Sequence, residues 1–360
     1  MKTQIREVAA GLYMLTLPMP FRLEHVNVFA ALEEDGFTLI DTGPNLTGTF
    51  PALEASLTEI GRRVEECRRI LITHFHMDHC GLAGLIADRS GAGIFLSEID
   101  DLTIRTFADE DRRLERRRRF ALENGLDVRT LATIEREFSA LRTATSPFTA
   151  TGILAGGGRL RVGGRVMEIV ATPGHSRGHI SFYLPEERIL IAGDHVLPDI
   201  TPNLSPDLID PTFRPLKSFL ESLERVASLP LGMVFPAHGG PFPDLKGRVE
   251  EIRQHHRERS GLALAALREQ PKTTEAVSRC IFGNDLPPFD RLLALNETFV
   301  HLIELMAEGA LRQERRNGFC YFSLSSPGAR GQISNLSPVD FKSVPGRFSG
   351  GGDGSTDGAE

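Results

Sequence analysis

Cysteine is scarce in this 360-residue chain: Cys67, Cys80, Cys280 and Cys320 lie scattered, with no C-x-x-C pair among them. That argues against a disulfide scaffold and against a thiolate zinc cluster, and it suits a reducing compartment. Positive charge is in deficit, 41 Lys and Arg against 48 Asp and Glu, for a net charge of -7. No global field therefore recommends nucleic acid or anionic membrane as a partner. No uncharged apolar run approaches the roughly 20 residues of a spanning helix. The start, MKTQIREVAAGLYMLTLPMPF, mixes acid and base into its apolar residues and lacks the continuous apolar core of an export signal. The expectation is a cytoplasmic protein. What is present, 41% hydrophobic and 25% charged residues, is an ordinary globular composition, long enough for two or three domains. Eleven histidines stand out, because several fall close together.

Strand and helix patterns alternate through the first 245 residues. Val26 to Leu32 and Phe37 to Ile40 are apolar runs separated by the acidic, Gly-containing turn Glu33 to Gly36, a hairpin signal. A helical pattern over Gly48 to Arg63 precedes a strand at Arg69 to Thr73, a helix at Leu82 to Asp88 and a short strand at Gly93 to Leu96. From about 97 to 154 the chain turns helix-biased and charge-rich, which reads as an insertion. Strands return at Arg159 to Val162, Val166 to Ala171, Ile180 to Leu184, Arg188 to Ala192 and Leu231 to Phe235, with a helix over Leu216 to Ser228. This mixture around buried apolar runs indicates an α/β layered domain over 1–245.

The pattern then changes. Arg248 to Glu269, Thr274 to Ile281 and Phe289 to Glu308 are helical, and Leu311 to Glu314 and Phe319 to Leu324 form strands across an Asn-Gly hairpin turn. Three helices and a hairpin over 246–324 make a winged-helix plan. The Gly/Ser-rich remainder, 325–360, is expected to be disordered.

Chemistry concentrates at strand ends. His74-x-His76-x-Asp78-His79 follows the strand ending at Thr73. Extended spacing sets His74 and His76 on one side, and Asp78 and His79 follow where the chain turns toward a helix. Three imidazoles and a carboxylate in six residues are costly to bury without a counter-charge, and a divalent metal resolves that conflict. Three later strand ends add metal-capable groups: Thr172-Pro-Gly-His175-Ser-Arg-Gly-His179, Gly193-Asp194-His195 and Pro236-Ala-His238-Gly-Gly. Loops beyond strand ends are where open α/β sheets bind ligands.

The order and spacing of these four elements resemble the metallo-β-lactamase superfamily, in particular its glyoxalase II-like (hydroxyacylglutathione hydrolase-like) branch, over about residues 5 to 245. The resemblance implies an αββα sandwich with a two-metal site on one edge. It implies that His74, His76 and His175 bind one metal, that Asp78, His79 and His238 bind the other, and that Asp194 bridges them. Asp41, at the Asp41-Thr42-Gly43 turn, matches a position expected to orient a ligand histidine. Nitrogen and oxygen donors without thiolate suit zinc, with iron or manganese as alternatives. Two divalent ions about 3.5–4 Å apart hold a bridging hydroxide that attacks a carbonyl or phosphoryl centre. Asp194 and Asp78 are the catalytic candidates, with His195, and with His179 beside it as a further donor or leaving-group acid.

The expected substrate is a small acyl ester or thioester, CoA- or glutathione-linked, or a lactone. Two departures from glyoxalase II bear on this: the continuation His195-Val-Leu-Pro-Asp-Ile-Thr-Pro-Asn203, and the winged-helix C-terminus. The latter resembles the beta-lactamase-like protein 2 group, whose relatives include an endoribonuclease, so RNA is the alternative substrate. Arg112 to Arg119 holds six arginines and one glutamate, able to hold phosphates or carboxylates or to pair with Asp109, Glu110, Asp111 and Glu115. DNA is disfavoured, because the third C-terminal helical segment carries Asp290, Glu297, Glu304 and Glu308 against Arg291. A packing or dimerisation role for this unit, bordering the active site, is the expectation, and a homo-oligomer is compatible with it.

Overall fold

The computed structural model describes residues 4–21, 23–107 and 109–325. The tail expected to be disordered lies outside the described residues, Ser325 apart. Two β-sheets stand face to face. The first runs β1 (Gln4–Ala9), β2 (Leu12–Pro18), β3 (His25–Glu33), β4 (Gly36–Ile40), β5 (Cys67–Leu71), β6 (Gly93–Leu96) and β7 (Gly152–Ile153), neighbouring in that order. It is antiparallel from β1 to β4 and parallel from β4 to β7. The second comprises β8 (Arg159–Val162), β9 (Arg165–Ala171), β10 (Ile180–Leu184), β11 (Ile189–Gly193) and β12 (Met233–Pro236), with only the β11–β12 pair parallel.

Both faces of the central strands are covered, which is why β3, β4, β10 and β11 read as continuous apolar runs rather than as alternation. Successive side chains of β2 and β3 take opposite sides. Leu12, Met14, Phe29 and Ala31 meet Ile169, Ile180, Phe182 and Ile191 of the second sheet. Leu15, Leu17, Val26 and Val28 pack instead toward α1 (Thr49–Glu59) and α3 (Ala83–Ser90), beside the one-turn α2 (Met77–Cys80). On the far side, Tyr183, Leu190 and Val234 pack against α7 (Pro215–Ala227) and α8 (Leu245–Ala266). The layers are therefore helix, sheet, sheet, helix, the αββα arrangement expected. Each fully buried core side chain such as Phe182 or Leu39 contributes about 1.5–3 kcal/mol.

The segment between β6 and β7 carries α4 (Glu98–Phe107), α5 (Glu110–Glu123) and α6 (Val128–Ala140). Its last residues rejoin the first sheet as β7, so the insertion is anchored in the sheet at both ends. After α8 come α9 (Thr274–Phe282), α10 (Pro288–Ala307) and the hairpin β13 (Leu311–Arg316) and β14 (Phe319–Leu324). The hairpin turns at Asn317 and Gly318, φ 49° and 85°, as its two-residue loop requires. Helix α10 does not stand apart: Leu292 and Leu295 join Ala121, Leu131 and Ile134 of the insertion in one apolar cluster.

Three expectations shift. Strands β1 and β2 were not anticipated, because Gln4–Ala9 is largely exposed and Leu12–Pro18 shows no clean alternation. The helix expected over Gly48 to Arg63 ends at Glu59. The strand expected from Leu231 begins at Met233, after Pro230 and Gly232, residues that a strand interior disfavours.

Candidate metal centre

The C-terminal ends of β4, β5, β11 and β12 and the loop between β9 and β10 meet at one edge of the sandwich. The parallel β11–β12 pairing brings Asp194 and His238 to adjacent strand ends. The Ile180 N–H donates to the Thr73 carbonyl (2.9 Å), joining the two sheets beside the histidine motif.

Seven side chains expected to act together converge there. His74, His76 and His175 form one group of ligand-capable atoms, Asp78, His79 and His238 another, and Asp194 joins His74 and His79 in a third, each group spanning no more than 4.8 Å. His76 Nδ1 lies 2.9 Å from His74 Nε2 and 3.0 Å from His175 Nε2. Asp194 has one oxygen on each side: Oδ1 is 3.5 Å from His79 Nε2 and 3.4 Å from His238 Nε2, and Oδ2 is 3.4 Å from His175 Nε2. Asp78 Oδ2 lies 3.3 Å from His238 Nε2.

The outer nitrogens are tied down. Nδ1 of His79 donates to Asp41 Oδ2 (2.8 Å), that of His175 to the Asn203 carbonyl (2.8 Å) and that of His238 to the His25 carbonyl (2.8 Å). The Thr73 hydroxyl donates to Asp41 (2.8 Å), so His74 Nδ1 donates to the Thr73 oxygen (3.1 Å). A fixed Nδ1–H points Nε2 inward, the arrangement that orients an imidazole for a metal. His76 is the exception, turning Nδ1 inward at the N-terminus of α2.

Electrostatics divide the cluster. Burial, and then the neighbouring imidazoles, hold His74 well below its ordinary value; burial and His175 push His76 down to about 3. Burial lowers His175 as well. Burial works against the charged form of His79 too, but Asp194, Asp78 and Asp41 outweigh it and hold that imidazole well above the usual range. His238 is raised in the same way by Asp194 and Asp78. One side thus offers neutral imidazole lone pairs and the other a carboxylate-rich pocket that attracts positive charge. Nε2 of His79, Nε2 of His238 and Oδ1 of Asp194 are buried with no hydrogen-bond partner. Three such orphans facing one another are expensive, and divalent cations would satisfy all of them. The donor set fits.

Beside the His25 carbonyl that holds His238, sequence reasoning missed two further supports. Asp100, on α4, accepts from the Phe75 N–H (3.0 Å) and from Ser176 Oγ (3.5 Å), linking the two histidine loops. Its burial pushes the carboxyl up to about 7. Asn203 lies in the irregular stretch after β11. Neither residue sits in a motif; only the folded chain brings them to the site.

Other expected residues stand apart. His179 accepts from the Asp194 N–H at Nε2 (3.1 Å) and holds Thr172 Oγ at 2.7 Å through Nδ1. His195 is fully buried, its ring edge-on to Phe219 (5.3 Å) and 6.1 Å from His179. It joins none of the ligand-capable groups. The Cys80 thiol donates to the Phe75 carbonyl. Of the arginine run, Arg112 pairs with Asp109, Arg118 with Glu135 and Arg119 with Glu123, and Arg117 lies 4.0 Å over the Phe138 ring. Of the acidic partners expected for the run, Asp109 is engaged, and Arg118 and Arg119 also reach Glu135 and Glu123.

Residues 22–238 match the family model described as the metallo-beta-lactamase superfamily. Probable metallo-hydrolase YqjP of Bacillus subtilis (strain 168) is 26% identical over 86% of this chain and 96% of its own length. The beta-lactamase-like protein 2 homolog of Caenorhabditis elegans is 26% identical over 89% of this chain and 92% of its own. Among solved structures, a metallo-beta-lactamase family protein from Thermus thermophilus is 32% identical, with a TM-score of 0.74 over 88% of this chain and 100% of that one.

Proposed function

Because the chain belongs to the metallo-beta-lactamase superfamily, we propose that it is a dinuclear metal-dependent hydrolase acting on a small acyl ester or thioester. The observation that carries this reading is the pair of ligand groups spanned by the two oxygens of Asp194. His74, His76 and His175 would hold one ion and Asp78, His79 and His238 the other, with Asp194 between them. Zinc suits these nitrogen and oxygen donors, with iron or manganese as alternatives. When bound, two such ions supply a water activated near neutral pH and a Lewis acid for the substrate oxygen. The chain's own contribution is placement. Asp41, Asn203 and His25 hold ligand imidazoles in the metal-binding tautomer, and Asp78 and Asp194 balance the positive charge. His195 is buried with its ring against Phe219 and lies outside the ligand-capable groups, so we assign proton transfer to Asp78 and Asp194.

A panel of acyl-glutathione, acyl-CoA and lactone substrates on one metal-loaded preparation tests the substrate class. Turnover of at least one, abolished by a chelator, is the expected result; no turnover of any would refute it.

RNA is a second reading, motivated by the exposed guanidinium groups of α5 such as Arg112, Arg118 and Arg119. Cleavage of single-stranded RNA, lost on neutralising Arg116 to Arg119, would favour it over an acyl substrate. We read 246–324 as a winged-helix unit used for packing. Its helix α10 buries Asp290, Leu292, Leu295, Glu297 and His301 against neighbouring elements. That leaves it poorly placed to enter a DNA groove.

A further inference from the structure

Between β11 and α7 the chain runs from Asp194 to Arg214 with no regular secondary structure. Irregular loops of this length in a compact domain are uncommon and are usually functional. This one is pinned on two sides. Toward the site, the Asn203 carbonyl accepts from His175 Nδ1 (2.8 Å). Arg177, two residues beyond His175, holds Asp207 (2.9 Å) and Asp210 (2.7 Å). Toward the C-terminal unit, Asn203 Nδ2 donates to the Leu293 carbonyl of α10 (3.2 Å). Ser205 Oγ donates to Asn203 Oδ1 (3.3 Å) and accepts from Asn296 Nδ2 of α10 (3.2 Å). Arg214, at the loop's far end, pairs with Glu304 near the end of the same helix.

Asn203 is therefore shared: its main chain orients His175, and its side chain is held by α10. We propose that Asn203, with Asn296 behind it, is a positioning residue through which the C-terminal helix α10 sets the metal affinity of the His74, His76 and His175 group. The inference rests on the reading of that group as a metal site. It makes the C-terminal unit part of the centre rather than an appended module.

The physical reason is tautomer and orientation. An imidazole whose Nδ1–H has a fixed acceptor presents Nε2 along one direction. Loss of such an outer partner typically costs 10–100-fold in metal affinity. Asn203→Ala keeps the carbonyl but frees it from α10. Asn296→Ala leaves Asn203 intact and removes only the support behind Ser205.

The test is the affinity of both sites for zinc, by competition with a chromophoric chelator, in the full chain and the two variants. The ligand-field spectrum of the cobalt-loaded protein and the unfolding midpoint of the metal-free protein complete it. The expected result is two ions in the unsubstituted chain. Asn203→Ala, which loosens the partner without removing it, should weaken one of them by up to about 10-fold, with a shifted cobalt spectrum and the other ion unchanged. Asn296→Ala should give a smaller shift in the same ion. Two ions bound by Asn203→Ala with unchanged affinities and spectrum, even at a lower metal-free midpoint, would overturn the inference and leave the metal reading standing. An unsubstituted chain that holds no ion would overturn both.

Discussion

Replacing Asp41 by Asn changes one atom beside the centre. Asp41 sits in the left-handed region (φ 56°), which Asn tolerates, so backbone strain does not cloud the result. Asp41 Oδ1 accepts from the Thr73 N–H (2.8 Å), and Oδ2 accepts from the Thr73 hydroxyl and His79 Nδ1 (2.8 Å each). An amide nitrogen in the Oδ1 position would oppose a main-chain N–H that cannot turn away. In the Oδ2 position it opposes a hydroxyl that can rotate and an imidazole that can change tautomer. The second arrangement wins, and it puts the His79 proton on Nε2, where it faces Asp78 and Asp194 and blocks metal. The expected loss is about 10–100-fold in affinity for the ion held by Asp78, His79 and His238, or about 1.4–2.7 kcal/mol. Exchanging a charged acceptor for a neutral one also costs the metal-free fold about 1–3 kcal/mol. Chelator competition measures the affinity, and long-range proton–nitrogen NMR of the histidines reports the tautomer. Unchanged affinity with His79 still protonated at Nδ1 in the loaded protein would refute the reasoning.

Two further outcomes follow from the packing. Gly174 has φ 146°, and a Cβ there would lie 2.4 Å from the Phe219 Cβ. Gly174→Ala is therefore expected to force the His175 loop and α7 apart, lowering stability by more than about 2 kcal/mol and reducing bound metal; an unchanged Tm would contradict this. His301, enclosed by His256, Ser260, His255 and Arg259, has its imidazole pushed down to about 3, chiefly by burial. The unfolded chain binds a proton there below about pH 6.5 and the folded chain does not. Stability is therefore lost as pH falls from 6.5 toward 3, at up to about 1.4 kcal/mol per pH unit for this group. His301→Leu should flatten that slope by about one proton in urea titrations between pH 6.5 and 5, whereas an identical slope would show that His301 does not titrate as its burial implies.

The candidate ligands were legible because each lies within a few residues of a strand end, and strand ends could be read from apolar runs. The sandwich followed from the same runs: a strand buried on both faces has no alternation to confuse with a helix. Legibility stopped where contacts are made by the main chain or by distant helices. Asn203 orients His175 through a carbonyl that any residue possesses, and Asp100 belongs to a segment set aside as an insertion. His195, next to Asp194 in sequence, turns instead toward Phe219. The arginine run leaves ligand binding and pairing with nearby acids both open, and Arg118 pairs with Glu135, whose approach depends on how α5 and α6 pack.

The central claim is tested most directly by the metal content of the purified chain. Two divalent ions per chain are expected, one lost in His76→Ala, the other in His238→Ala, and both weakened in Asp194→Ala. Fewer than one ion per chain in the unsubstituted protein, with the three substitutions making no difference, would contradict it.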